Sequence, residues 1–179
     1  MLRIISLYGV IAGLIVGGEM LAMMYLVTGE LPFPYGHIIG YTTMLIALSA
    51  VFVGIKRRRD IDLGGVIGFL PALGLGLGIS FVASIIYTLA WELSLAMSHV
   101  DFMAGYTKMV VAQAKAKGAS AAAIAKLTAD MDRLRIQYAN PLHRMPETFA
   151  EIFPVGVLVS VVSAGLLCNR RFLAARRSL

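Results

Sequence analysis

The apolar stretch from Gly64 to Met97 limits what this chain can fold into more than any other part of it. The stretch holds about 34 residues with no Lys, Arg or Asp, and Glu92 is its one carboxylate. A helix rises about 1.5 Å per residue, so roughly 20 consecutive apolar residues suffice to cross the hydrocarbon core of a bilayer. The stretch therefore predicts a transmembrane helix.

The composition of the whole chain agrees with a membrane protein. The 179 residues are 59% hydrophobic and 15% charged, whereas soluble domains are about 45–50% apolar and about 25% charged. A net charge of +6 in a soluble protein would point to nucleic acid. Here the basic residues lie beside apolar segments, so the lipid bilayer is the predicted partner and nucleic acid is not. Cys168 is the single cysteine, which excludes an intrachain disulfide.

Four apolar segments predict four transmembrane spans. We interpret the first as a retained span, because it is longer than the apolar core of a signal peptide and no A-x-A site follows it. Gly29, Pro32, Pro34 and Gly36 predict a short loop between the first two spans. The predicted spans lie at about residues 4–27, 37–55, 72–97 and 149–168.

A polar part at about residues 99–148 separates the third and fourth spans. Apolar residues recur there at helical spacing on both sides of Gly118, which predicts an αα-hairpin. The predicted fold class is all-α: an integral membrane four-helix bundle with an extracytoplasmic αα-hairpin between spans three and four. Residues 1–179 are expected to form a single membrane domain.

Two sets of glycines are spaced for close helix packing. Gly9, Gly13 and Gly17 share one face of the first span, because residues four apart lie on the same side of a helix. Such a stripe lets another backbone approach closely. Gly74 and Gly78 are predicted to do the same in the third span.

Basic residues predict the orientation in the membrane. If the N-terminus is cytoplasmic, nine Lys and Arg residues lie on the cytoplasmic side in short segments next to spans. The remaining seven lie in the hairpin, diluted by acids. The positive-inside rule favours this arrangement, with both termini cytoplasmic. The predicted cytoplasmic charge anchors are Lys56, Arg57, Arg58, Arg59, Arg170 and Arg171.

Short motifs along the chain occur in the order found in a known family. They are Gly40-Tyr41-Thr42, Gly54-Ile55-Lys56, Arg59-Asp60, Trp91-Glu92, Asp101-Phe102, Gly118-Ala119-Ser120, Asn140-Pro141, Thr148-Phe149, Glu151-Ile152-Phe153-Pro154-Val155-Gly156 and Ser163-Ala164. In these motifs the chain resembles the uncharacterised bacterial membrane proteins called domain of unknown function forty-one ninety-nine. The resemblance implies four spans in a bacterial cytoplasmic (inner) membrane and implies no activity. The position before Arg59 is often aromatic in that family and is Arg58 here.

Carboxylates inside the spans are candidate functional groups. An ionised carboxylate in hydrocarbon costs roughly 2.5–3.5 kcal/mol, so Glu19 and Glu92 are expected to face the bundle interior, to pair or to stay protonated. Together with Glu151 they lie in one layer near the outer ends of the spans, which predicts a proton, cation or solute site. The candidate residues of this site are Glu19, Glu92, Glu151, Tyr87 and Tyr41.

A structural role for the same carboxylates is the alternative. Each would then accept a hydrogen bond from a hydroxyl, pair with an Arg of the hairpin such as Arg144, or reach the membrane interface. No H-x-x-x-H or E-x-x-H pair occurs, so neither a metal nor another cofactor is predicted.

Two functions stay open. The first is a non-enzymatic membrane module that forms a homo-oligomer, or binds a membrane-protein partner, through the stripe of Gly9, Gly13 and Gly17 or through the hairpin. The second is a small proton- or cation-linked transporter or channel subunit that uses the outer carboxylates; with only four spans, it is expected to be a dimer. A membrane enzyme is a third hypothesis, which no residue set supports.

Overall fold

The computed structural model describes residues 1–26, 36–97 and 101–174. Within these ranges the chain is helical and contains no strand, as the all-α fold class predicts. The helices are α1 Leu2–Leu26, α2 Gly36–Arg57, α3 Phe69–Met97, α4 Phe102–Ala116, α5 Ala121–Tyr138 and α6 Pro141–Leu167, and a π-helical turn at Arg58–Asp62 continues α2. Most of the predicted loop between the first two spans lies outside the described residues.

In the described parts of the chain, four helices are long and apolar enough to cross a membrane, which confirms the prediction of four candidate spans. Large apolar side chains point away from the bundle on these helices: Leu14 is 63% exposed, Ile46 61% and Leu158 63%. A lipid environment accounts for such surfaces, whereas a soluble monomer rarely exposes large contiguous apolar patches. The candidate spans are Leu2–Ala22, Ile38–Asp62, Phe69–Met97 and Pro141–Leu167.

The helices of the four candidate spans form a ring in the order α1, α3, α6, α2. Each packs against its two neighbours in the ring, and α2 also contacts α3 across the bundle. Fully buried side chains fill the centre, among them Leu48 and Ile55 of α2, Ile79 of α3 and Ile152 of α6.

Two helix starts differ from the predicted ones, and a proline explains each. We predicted the third span from about residue 72, but α3 begins at Phe69 and holds Pro71 in its first turn. A proline is tolerated there because the first N–H groups of a helix have no acceptor within the helix. In the same way Pro141 occupies the first position of α6, and the side chain of Asn140 accepts a hydrogen bond from the N–H of Leu142 at 3.0 Å. The helix of the fourth span thus starts before its apolar part at about residue 149.

Helices α4 and α5 lie at the end of the bundle where α3 ends and α6 begins. The two helices contact each other, and α5 also contacts α6. Side chains cap both N-termini: Asp101 accepts from the N–H of Ala104 and Ser120 from the N–H of Ala123. Gly118 in the turn between them has a φ of 77°, which favours glycine. The side of the membrane on which this helical pair lies stays a prediction.

Candidate functional site

The glycine stripe of α1 packs against α3 of the same chain. A Cβ added at Gly9 would lie 2.6 Å from the Cβ of Val82, and one at Gly13 would lie 2.6 Å from the Cβ of Ile86. The stripe therefore brings two helices of one chain together. This face of α1 is occupied by side chains of α3 in the structure.

The glycines of α3 do not behave as a set. Gly78 packs against α1, where an added Cβ would lie 2.7 Å from the side chain of Ile5, but the nearest atom at Gly74 is 4.0 Å away. The prediction that Gly74 packs closely is therefore wrong. Gly76, between these two glycines, lies in the interface with α6, where an added Cβ would lie 2.9 Å from Ser160.

The α3–α6 interface combines small residues with hydrogen bonds. Gly156 faces Ser80, whose Cβ would lie 2.6 Å from a Cβ at Gly156. The hydroxyl of Ser80 donates to the carbonyl oxygen of Gly156 at 3.1 Å and lies 3.2 Å from the hydroxyl of Ser160. Small residues let helices approach closely in lipid, and serine hydroxyls bond across the interface. The sequence contained this signal, since Gly76 and Ser80, like Gly156 and Ser160, are four residues apart.

At the end of the bundle where α4 and α5 lie, the side chain of Arg144 of α6 forms an ion pair with Glu92 of α3. Its Nε donates to Oε1 of Glu92 at 2.8 Å and its Nη2 donates to Oε2, so the pair is bidentate. The remaining Nη1 donates to the carbonyl oxygen of Tyr138 at 2.9 Å, and the guanidinium lies 5.4 Å from the Tyr138 ring centroid. Glu92 thus takes the structural role that the sequence left as an alternative, with Arg144 as its partner.

Aromatic side chains next to this ion pair join α3 to α4 and α5. The indole Nε1 of Trp91 donates to the hydroxyl of Tyr138 at 2.6 Å. The ring of Phe102 packs against Trp91 with centroids 4.9 Å apart and against Tyr138 at 6.2 Å. Burial raises the pKa of Tyr138 to about 12. These contacts fix α4 and α5 to the end of the bundle.

Two of the five predicted site residues are hydrogen-bonded to each other at the same end of the bundle. Tyr87 of α3 is buried, and its hydroxyl donates to Oε2 of Glu151 at 3.4 Å. Glu19 of α1 lies within electrostatic range of the same hydroxyl. Of the other two residues, Glu92 is paired with Arg144, and Tyr41 is 57% exposed on α2.

The opposite end of the bundle holds a fully buried arginine. Arg59 is 0% exposed, and its guanidinium donates to the carbonyl oxygens of Phe172 at 2.9 Å and Leu173 at 2.7 Å and to the carboxylate of Asp60 at 2.6 Å. Arg59, which we predicted as a cytoplasmic charge anchor, is therefore buried and not exposed, and the side of the membrane on which it lies stays a prediction. The guanidinium instead ties the end of α2 to the turn that follows α6.

The described residues contain no group of three His, Cys, Asp or Glu side chains placed to hold a metal ion. In the same ranges, every buried side-chain nitrogen and oxygen has a hydrogen-bond partner. Some of these bonds join two helices, as between Ser80 and Ser160, whereas the hydroxyls of Ser84, Thr88 and Ser94 donate to carbonyl oxygens of their own helix.

The four apolar helices and the polar contacts at their ends define a multi-pass α-helical membrane protein. Residues 7–169 match the family described as "Protein of unknown function (DUF4199)", and the chain belongs to that family. The family that the sequence motifs indicated is thereby confirmed. Neither the curated proteins nor the solved structures contain a match to the chain.

Proposed function

We propose that this protein is a non-enzymatic membrane module that self-associates through its α4–α5 pair, with a membrane-protein partner as the other possible occupant of that surface. The observation that carries the proposal is that none of the 18 residues of α5 is fully buried, and Tyr138 at its end is only half-buried. Leu134 is 42% exposed and Ile136 is 76% exposed. Helices in proteins gain most of their stability from packing an apolar face, so a further surface that covers α5 would stabilise it.

The contacts at the C-terminal end of α5 favour the same proposal. Tyr138, at the end of α5, is bonded by both Trp91 and Arg144, which belong to the bundle. A surface that is held in place before binding loses less conformational entropy when a partner docks. The α4–α5 pair is thus presented in a defined orientation.

The charge distribution supports a cytoplasmic location for both termini. At the end of the bundle away from α4 and α5, the described residues include seven basic and only two acidic side chains. The part of the chain from Glu92 to Glu151 has seven basic and six acidic side chains. By the positive-inside rule the first end lies in the cytoplasm. We therefore propose the bacterial cytoplasmic membrane, with α4 and α5 outside.

Self-association is tested by measuring the molar mass of the purified protein in detergent over a range of concentrations. We expect an oligomer that Ile136→Asp dissociates, because a carboxylate at an apolar contact has to be desolvated. Ala112→Asp puts the same charge on an exposed position of α4 and tests whether the contact lies on α5 and not on α4. A monomer at every concentration would contradict self-association, and equal dissociation by both variants would contradict the assignment to α5.

The glycine stripe allows a second control within the same experiment. Gly13→Leu should lower the thermal stability without a specific effect on oligomer mass, because Gly13 packs against Ile86 of its own chain. A stable variant with an altered mass would show that the stripe joins two chains.

The hydrogen bond between Tyr87 and Glu151 favours a second candidate function, a proton- or cation-linked transporter or channel subunit. Glu19 of α1 interacts electrostatically with the same tyrosine and is the third residue of this candidate site. In liposomes Glu19→Gln should abolish a cation- or proton-dependent flux, whereas Glu147→Gln, at an exposed position of α6, should preserve it. Equal flux in the wild type and Glu19→Gln would exclude this role for Glu19.

A further inference from the structure

Basic side chains crowd the end of the bundle opposite α4 and α5. Both acidic residues of this end are already engaged: Asp60 by Lys56 and Arg59, and Asp62 by Arg58. Four other arginines are exposed and have no ion-pair partner among the described residues. We call them the free arginines: Arg3, Arg57, Arg170 and Arg171.

The fold itself brings these charges together. The two segments that carry Arg57 and Arg171 are far apart in sequence, but the buried Arg59 holds the carbonyl oxygens of Phe172 and Leu173 beside the end of α2. The ring of Phe172 also packs edge-on against Phe52 of α2, with centroids 6.4 Å apart. Arg170 and Arg171 are therefore held close to the end of α2.

The turn that carries Arg170 and Arg171 is ordered by its own hydrogen bonds. The side chain of Asn169 accepts from the N–H of Arg171 at 3.0 Å, and the N–H of Phe172 donates to the carbonyl oxygen of Asn169 at 3.1 Å. Like charges repel one another, so a fold that keeps guanidinium groups together is stabilised by an anion that lies against them. Guanidinium groups bind phosphate oxygens in a bidentate manner.

Exposed apolar side chains lie at the same end as the free arginines. In the segment between α2 and α3, Ile61 is 67% exposed and Leu63 43%, and Leu70 in the first turn of α3 is 75% exposed. A soluble anion would leave these side chains in water. A phospholipid supplies both an anionic phosphate for the guanidinium groups and an acyl boundary for the apolar side chains.

We infer that this end of the protein binds anionic phospholipids, with Arg57, Arg170 and Arg171 contacting headgroup phosphates and the apolar residues at 61, 63 and 70 lying at the acyl boundary. Arg59 does not contact the lipid; it positions the turn that carries two of the three arginines. The inference rests on the charge and shape of this end and is independent of self-association through α5.

The test compares lipid binding by the wild type and by two variants that lose the same charge. The protein in neutral detergent is titrated with phosphatidylglycerol or phosphatidylcholine, and bound lipid is counted by native mass spectrometry. One variant combines Arg57→Gln, Arg170→Gln and Arg171→Gln. The control variant combines Lys108→Gln, Lys115→Gln and Lys117→Gln, which are exposed positions on α4 and in its following turn.

We expect the wild type to prefer phosphatidylglycerol over phosphatidylcholine. The arginine variant should bind phosphatidylglycerol on the order of 100-fold more weakly, since each basic residue near an anionic lipid surface contributes to binding. The lysine variant should bind it like the wild type, and circular dichroism should show that both variants are folded. Equal binding of the two lipids by the wild type, or an equal loss in both variants, would overturn the inference.

Competition with inorganic phosphate distinguishes a phospholipid from a free anion as the ligand. Added at the concentration of the lipid, inorganic phosphate should leave phosphatidylglycerol bound, because it offers nothing to the apolar side chains at 61, 63 and 70. Displacement of the lipid by inorganic phosphate would overturn the assignment to a phospholipid.

Discussion

The ion pair between Arg144 and Glu92 allows a quantitative test of how α4 and α5 are held to the bundle. The side chain of Arg144 is 12% exposed and that of Glu92 is 22% exposed. Removal of one partner from a buried pair costs about 3–5 kcal/mol, whereas exposed pairs contribute about 0–1 kcal/mol. Because both groups keep some contact with solvent, we expect Arg144→Met to lower the free energy of unfolding by about 2–3 kcal/mol.

A double-mutant cycle separates the pair from the other contacts of Arg144. Arg144→Met also removes the hydrogen bond to the carbonyl oxygen of Tyr138 and the contact with its ring. Glu92→Gln leaves those two contacts in place. The coupling energy between the two substitutions is expected to be about 1–3 kcal/mol, the range for residues in direct contact.

The chain contains one tryptophan, Trp91, which reports on this region directly. Its indole nitrogen donates to the hydroxyl of Tyr138 at 2.6 Å, so release of α5 should change its emission. Unfolding is followed by this emission in mixed micelles of increasing denaturing detergent. Arg135→Met is the matched control. The side chains of Arg135 and Asp101, which form an ion pair, are 55% and 46% exposed, so this pair should contribute about 0–1 kcal/mol. A coupling energy below about 0.5 kcal/mol for Arg144 and Glu92, or an equal loss in Arg135→Met, would refute the reasoning.

Two further predictions concern Arg59 and Tyr138. Arg59→Met should lower the free energy of unfolding by about 3 kcal/mol, because it leaves the carbonyl oxygens of Phe172 and Leu173 without their charged donor. The control is Arg58→Met, at a partly exposed ion pair, which should lower it by less than about 1 kcal/mol. Equal thermal stability of the two variants would contradict the role of Arg59. Burial raises the pKa of Tyr138 from 10.0 to about 12, so the folded protein holds this proton more tightly than the unfolded chain, and its contribution to stability is complete below pH 10 and is lost as the pH rises through 12. Tyr138→Phe should therefore remove one late-titrating group from the tyrosinate absorbance and weaken the loss of stability over that range; an unchanged titration curve would count against it.

The all-α class and the four candidate spans could be predicted because they depend on local properties of the chain. A long run of apolar residues has to be helical in a membrane, since no water is present to satisfy its backbone groups. The helical spacing around Gly118 likewise needs only a short window of sequence. The starts of α3 and α6 were harder to predict, because Pro71 and Pro141 are compatible with the first turn of a helix as well as with a break before it.

The candidate site was predicted only in part, because sequence gives the depth of a residue but not its neighbour. Glu19, Glu92 and Glu151 belong to one layer by depth. The structure bonds Glu151 to Tyr87 and pairs Glu92 with Arg144, which is 52 positions further along the chain. The rotation of a helix about its own axis decides which neighbour its side chains face. Packing across the whole bundle sets that rotation.

The sequence by itself determined that the chain is a helical membrane protein of one family, because apolar length, helical period and short motifs are written into consecutive residues. Only the tertiary structure decided which groups meet. Arg58 and Arg59 are adjacent in one basic run, yet Arg59 is fully buried and holds the turn after α6, whereas Arg58 lies at the surface with Asp62. The physical reason is that burial and pairing depend on side chains from distant helices, whose approach is set by the close contacts of Gly9, Gly76 and Gly156.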